Sequence, residues 1–216
     1  MNKLEQNKRR KKNDLLNAAY KLFTTIGFSE TTITQIASKA KVGKGTFYLY
    51  FKSKEDLNQA LIAHKSDQLL QRAIEELNKH CEKTGEMLSV SDKIIFITDY
   101  IVTTFSKDIA LLRYISKYLS WGMFSLPFEG GDDRSEASEF RSSILAMLEK
   151  EGVKVKNFDL MIFTIIELIN STCYNVILHG EPVTFSDYKP YLFHCVRMIV
   201  NESLADASGK PLPGLA

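Results

Sequence analysis

Residues Thr31–Leu57, TTITQIASKAKVGKGTFYLYFKSKEDL, decide how the rest of the chain is read. Thr32 precedes a helical pattern and Gln35 follows three residues later. That is the spacing of a capping box, in which hydroxyl and amide each satisfy a free backbone N–H. Ile33, Ile36, Ala37 and Ala40 then share one face of a short helix. Lys41, Val42 and Gly43 break the pattern, and Gly43 is expected to take the backbone shape of a tight helix-to-helix turn. A second short helix is expected over about Lys44–Tyr50. Phe47 and Phe51 are four apart and share its inner face. Gly45, Thr46 and Leu49 lie opposite, with Tyr48 and Tyr50 on the flanks. Lysines 41, 44, 52 and 54 stand at the two ends. One bracing helix beside a slim, polar, phenol-lined helix is the arrangement of a helix-turn-helix, whose second helix enters the major groove.

Upstream, Leu15, Ala19, Leu22 and Ile26 make the stripe of a helix over Asn13–Ile26, helped by Leu16 and Phe23 and stopped by Gly27. Met1–Lys12 is polar and basic. Two readings of it stay open, an arm reaching phosphates or the minor groove and a frayed terminus. Downstream, Ser53 caps a long helix over Lys54–Lys83, with Asp56 completing a partial capping box. Thr84–Val90 reads as a loop, and Ser91 as the cap of a helix carrying Ile94, Ile95, Ile97, Ile101, Val102 and Phe105. Asp108 opens another helix, ended by Gly122 and Pro127. Phe128–Ser135 reads as a loop, Glu136–Lys150 as a helix, and Phe158–Leu178 and Tyr188–Ala205 as a final long pair. Ser208–Gly214 reads as a loose tail. The expected fold is all-α, with a helix-turn-helix domain over residues 1–53 and a larger helical domain over 54–216.

The same residues resemble the amino-terminal DNA-binding domain of the tetracycline-repressor (TetR) family. The matching pieces are Gly27-Phe28, Thr31-Thr32, Ile36-Ala37 and the run Val42-Gly43-Lys44-Gly45-Thr46-Phe47-Tyr48-Leu49-Tyr50-Phe51. Lys52-Ser53-Lys54-Glu55-Asp56-Leu57 follows it. The resemblance covers about Asp14–Leu57. It implies a homodimeric transcription regulator, most simply a repressor, bound to a palindromic double-stranded DNA operator and released by a small-molecule inducer. It places Lys44, Gly45, Thr46 and Leu49 near base edges, and Thr32, Thr34, Tyr48, Tyr50 and Lys54 at phosphates. Leu49 departs from a polar reader, since it offers only apolar contact to a thymine methyl. The long helix from Lys54 would link the two domains. An inducer pocket is implied in the body, with His64, Phe96, Tyr100, Phe105, Tyr114, Tyr118, Trp121 and Phe124 as candidate lining. An apolar or aromatic ligand with one or two hydrogen-bonding groups, drug-like or acyl, suits that set. The last two helices carry more apolar surface than one thin domain hides. Paired across a two-fold axis they would form a four-helix bundle, with Ile169, Cys173, Leu192, Val196 and Ile199 in the dimer interface.

Charge distribution agrees with a polyanion at the front. Met1–Glu55 holds twelve Lys/Arg against four Asp/Glu, a net of +8, while the remainder nets −6. Such asymmetry points to nucleic acid. With 44% hydrophobic and 25% charged residues the chain belongs with globular proteins. Cys81, Cys173 and Cys195 are odd in number and widely spaced, as free thiols in a reducing compartment are. No signal peptide is read at the basic start, and polar residues interrupt the apolar stretches. The expectation is a cytoplasmic protein without a membrane partner.

Other chemistries find little support. Gly43-Lys44-Gly45-Thr46 lacks the glycine spacing of a phosphate loop. His80-Cys81 and His194-Cys195 are neighbours pointing about 100° apart on a helix, so neither pair chelates alone. No nucleophile elbow or carboxylate pair stands out. No cofactor, metal site or enzymatic activity is expected. The competing reading is a helical small-molecule-binding or enzymatic domain whose basic front serves solubility. Glu167 and Asn170 interrupt an apolar helix, and three readings stay open: a polar contact across a dimer, a ligand contact, or exposure.

Overall fold

The computed structural model describes residues 3–116, 142, 144–146, 148 and 152–205. The described helices are α1 (Lys3–Thr25), α2 (Ile33–Lys39), α3 (Lys44–Tyr48), α4 (Lys54–Thr84), α5 (Val90–Lys107), α6 (Ile109–Ser116), α7 (Phe158–His179) and α8 (Phe185–Ser203). The strands among the described residues are two-residue pieces, β1 (Lys154–Val155) and β2 (Leu204–Ala205), paired antiparallel with Lys154 opposite Ala205. The fold is all-α. The chain divides into units Met1–Lys65 and Ser66–Ala216, so the division falls inside α4 rather than at its first residue.

In the front unit α1 begins at Lys3, not Asn13. The basic segment contains no glycine or proline. Its Lys, Arg, Gln and Leu are good helix formers, so the helix propagates back from its packed part. Leu15, Leu16, Ala19, Ile36, Phe47, Leu57 and Leu61 are fully buried and form the core. Ile26 falls beyond the end of α1 and is 45% exposed, so it drops out of the expected stripe.

In the body, α5 is capped by Ser89, whose hydroxyl accepts from the Asp92 N–H at 3.2 Å. Ser91, the expected cap, is instead buried and donates to Asn201 of α8. Arg197 reaches Asp92 at 2.7 Å, and Lys189 pairs with Asp99, so α8 is tied to α5 by charge as well as packing. The Ser89 hydroxyl and then Arg197 hold the Asp92 carboxyl below its usual range. Asp108 opens α6 as expected, accepting from the Leu111 N–H at 2.9 Å. Gly180, at φ 66°, closes α7 in the left-handed shape that glycine adopts without strain. Thr184 caps α8 through the Asp187 N–H, which starts that helix earlier than Tyr188. Leu204-Ala205 leaves the helix for β2. Residues 142, 144–146 and 148 are helical, within the helix expected over 136–150. The expected loop 128–135, the helix end at 122–127 and the tail 208–214 lie outside the described residues.

One described helix, α7, is long and apolar enough to cross a membrane by length and composition. Glu167, Asn170 and Asn175 interrupt it without making it too polar for that, contrary to the sequence expectation. Within this chain its buried face carries Met161, Ile162, Ile165, Ile166, Ile169, Cys173 and Val176.

Candidate nucleic-acid interface and body cavity

The α2–α3 corner is built from local rules. Thr32 accepts from the Gln35 N–H at 3.2 Å, and Gln35 accepts from the Thr32 N–H at 2.8 Å, the complete capping box. At the other end, the Lys41 N–H donates to Ser38 O and the Val42 N–H to Ala37 O, both at 3.0 Å. This is a Schellman closure, whose left-handed residue is Lys41 at φ 56°. Gly43, expected to supply that shape, is extended at φ −70° and caps α3. The turn therefore bends at a lysine two residues earlier.

Phe47 is wholly buried and Phe51 is 3% exposed, with their rings 5.8 Å apart. Every other side chain of α3 is available. Tyr48 is 52% and Leu49 78% exposed, Lys44 and Gly45 are exposed, and Thr46 and Tyr50 are half-buried. A Cβ built at Gly45 meets nothing within 4 Å, so no internal packing explains the glycine. Thr32 and Thr34 are exposed on α2, beside this surface in sequence. Thus α3 splits into one inward aromatic and an outward surface of lysine, glycine, threonine and leucine.

Lys54 stands apart from this set. Its Nζ donates to Phe28 O at 2.8 Å, Thr31 O at 2.9 Å and Ser29 O at 3.3 Å, and lies 4.4 Å from the Phe28 ring centroid. An ammonium has three donors. All three serve the 28–31 loop, so the lysine stitches that loop to the first turn of α4 rather than standing free for a phosphate. The contact spans 26 residues of sequence, which no helical periodicity reveals. Asp56 accepts from the Lys52 N–H at 2.6 Å, and the Asp56 N–H donates to Ser53 Oγ at 3.1 Å, closing the same corner.

In the body, a cavity of about 60 Å³ is lined by Leu70 of α4, Ile94, Ile97, Thr98 and Ile101 of α5, Ile144, and Ile162, Ile165, Ile166 and Ile169 of α7. None of the expected aromatic residues lines it. Phe105 and Tyr114 are 3% and 7% exposed and belong to the packed core. Phe96 and Tyr100 are half-buried, Phe96 with its ring centroid 5.2 Å from that of His80. His64 lies in the front unit. Tyr118, Trp121 and Phe124 lie outside the described residues. The cavity is thus aliphatic, because the isoleucines one face apart on α5 and α7 meet each other. A run of isoleucine at helical spacing on two separate helices was the signal available in sequence.

Asn170 donates its Nδ2 to Ser116 O at 3.1 Å, a bond between α7 and α6. Glu167 Oε1 is buried and has no partner among the described residues. The residues expected at a dimer interface are mostly core: Cys173, Leu192 and Val196 are 0% exposed, Ile169 is 6% exposed, and only Ile199 is half-buried. They point into their own chain because α7 and α8 pack on α5 along those stripes. The apolar side chains that α7 and α8 do expose are Leu160, Phe163, Tyr191 and Met198.

Residues 15–61 match the family described as bacterial regulatory proteins, tetR family. The chain is 31% identical over 86 residues to the fatty acid metabolism regulator protein of Bacillus subtilis (strain 168), a match covering 40% of this chain. The chain spans only 44% of that relative's length. A tetR family transcription regulator of Shewanella sp. PV-4 shares the fold with a TM-score of 0.58 at 17% identity, over 90% of this chain and 98% of its own. Thermus thermophilus FadR, a transcriptional repressor solved with lauroyl-CoA, does so with a TM-score of 0.58 at 21% identity, over 94% and 99%. At those identities the likeness is one of fold.

Proposed function

We propose, from the premise that residues 15–61 belong to the tetR family of bacterial regulatory proteins, that the whole chain is a DNA-binding transcription regulator. It acts in the cytoplasm as a repressor that a small ligand releases from its operator, and not as an enzyme. One observation carries the reading: α3 buries Phe47 and leaves Lys44, Gly45, Tyr48 and Leu49 exposed, with open space around Gly45 that no internal packing fills. Such a surface fits a major groove, with Lys44, Gly45, Thr46 and Leu49 toward base edges. Thr32, Thr34, Tyr48 and Tyr50 hold phosphates, which sets register without reading sequence.

The ligand carries an aliphatic chain. The cavity lining supports this, and so do the lauroyl-CoA bound by the structural neighbour and the name of the curated relative. About 60 Å³ is well below the ~150 Å³ that accommodates benzene, so a chain enters by parting the helices. Leu70, which lines the cavity, and Lys54, which anchors the front unit's loop, both belong to α4. Displacing α4 is therefore the route from ligand to DNA affinity, provided the ligand favours the displaced state.

Two copies pair through the exposed apolar sides of α7 and α8 at Leu160, Phe163, Tyr191 and Met198. Leu160 and Phe163 of α7, 62% and 41% exposed, are apolar surface that such a cover would bury. A palindromic operator calls for two recognition helices about 34–36 Å apart, one turn of DNA. The experiment is a gel shift with the DNA upstream of its own gene, with and without long-chain acyl-CoA. A retarded band that dissolves with acyl-CoA is expected. No retardation of any fragment overturns the regulator, and retardation indifferent to acyl-CoA overturns the ligand class.

A further inference from the structure

A second basic surface lies in the front unit, and none of the side chains assigned to base reading lines it. The helical extension of α1 and the α2–α3 corner enclose an open groove of about 520 Å³. Arg10, Lys11 and Lys21 line it from α1, and Lys39 and Lys41 from the corner, with Asp14 the one acid. All six are exposed, and among the described residues none of the five cations is held in an ion pair. The groove is elongated: Arg10 to Lys21 spans about 16 Å of helix. It matches a charged strand better than a single anion. Its corner lip is Lys41, a lysine held at φ 56° where glycine sits without strain. That shape directs the chain straight into α3. Lys44 follows Lys41 by three positions, at most about 10 Å of chain.

We propose that this groove binds the sugar–phosphate backbone of DNA flanking the bases that α3 contacts. The proposal rests on the DNA-binding reading above and adds to it a sequence-independent clamp. A strand whose bases meet Lys44 and Thr46 continues past the lip, where Lys39 and Lys41 meet its next phosphates. Arg10 and Lys11 close on the strand from the other wall. Phosphate contacts of this kind fix register and add affinity to every sequence alike.

The test uses the full chain and a random-sequence DNA duplex longer than one helical turn, with affinity measured from about 50 to about 200 mM salt. Each lost phosphate contact lowers the slope of log affinity against log salt by about 0.9. The variant Arg10→Gln/Lys11→Gln/Lys39→Gln/Lys41→Gln is expected to lose about two to four units of slope. Lys39→Arg/Lys41→Arg keeps the charge and should keep the slope. Arg10→Gln/Lys11→Gln lies on exposed helix surface and reports alone should the fourfold variant fail to fold. Slopes equal to wild type in both glutamine variants overturn the groove while leaving the regulator intact. A wild-type chain that binds no duplex at any salt overturns the DNA-binding reading, and the groove with it.

Discussion

The front unit and the body use sequence differently. In the front unit α2 and α3 are short, seven and five residues, and their inward and outward faces are separated by residue type. Phe47 is inside and Leu49 outside, two residues apart. Capping and turning are settled by neighbours within five positions, as at Thr32–Gln35 and Ala37–Val42. In the body the helices are long and apolar on several faces. Which face meets which is settled by partners far along the chain, such as Ser91 with Asn201 or Ile94 with Ile165 around one cavity. Local rules therefore specify the interface, while the cavity and the outer face emerge only from packing.

The sharpest way to break this comparison is on α8. Val196→Asp places an unpaired charge at a 0% exposed position, and unfolding of the body is expected, at a cost of about 3–5 kcal/mol. Tyr191→Asp/Met198→Asp on the outer side should leave a folded chain that sediments as a monomer. If instead the outer pair unfolds the chain, or leaves a dimer intact, the proposed interface is wrong. On α3 the contrast is as large within two residues. Phe47→Ala should cost about 3–5 kcal/mol in urea denaturation. Leu49→Ala should stay within about 0.5 kcal/mol and act on DNA alone.

Lys54→Met should lower stability by about 1–3 kcal/mol, because the Phe28 and Thr31 carbonyls lose their donor. Unchanged stability with weaker DNA binding would return the lysine to a phosphate. The smallest effect is at Lys41→Gly, where removing a left-handed lysine should raise stability by about 1 kcal/mol. A loss of similar size would show that the lysine side chain packs the corner.

These contrasts mark what was legible in sequence. The capping box, the inward Phe47 and Phe51 and the long helix from Lys54 all follow from near neighbours, and the structure contains each. The turn residue was misplaced because glycine is the cheaper left-handed residue, yet Lys41 occupies that position. Lys54 was read as free because its partners lie in a loop with no periodic signal. Bulky half-polar side chains suggest an aromatic pocket, of which Tyr118, Trp121 and Phe124 lie outside the described residues. Phe105 and Tyr114 proved to be packing, and branched isoleucines left the gap. The dimer residues were chosen by apolar stripe, and a stripe cannot distinguish the inner face of a helix from its outer one.

The account depends most directly on α3 reading DNA through its outward side chains. The deciding measurement is a footprint on the DNA upstream of the gene, comparing wild type with Lys44→Ala/Thr46→Ala/Leu49→Ala at equal folded fraction by circular dichroism. The wild type is expected to protect one palindromic site. The triple variant should keep its fold and its weak binding to random duplex while losing that protection. A triple variant that protects the same bases as wild type would contradict the account.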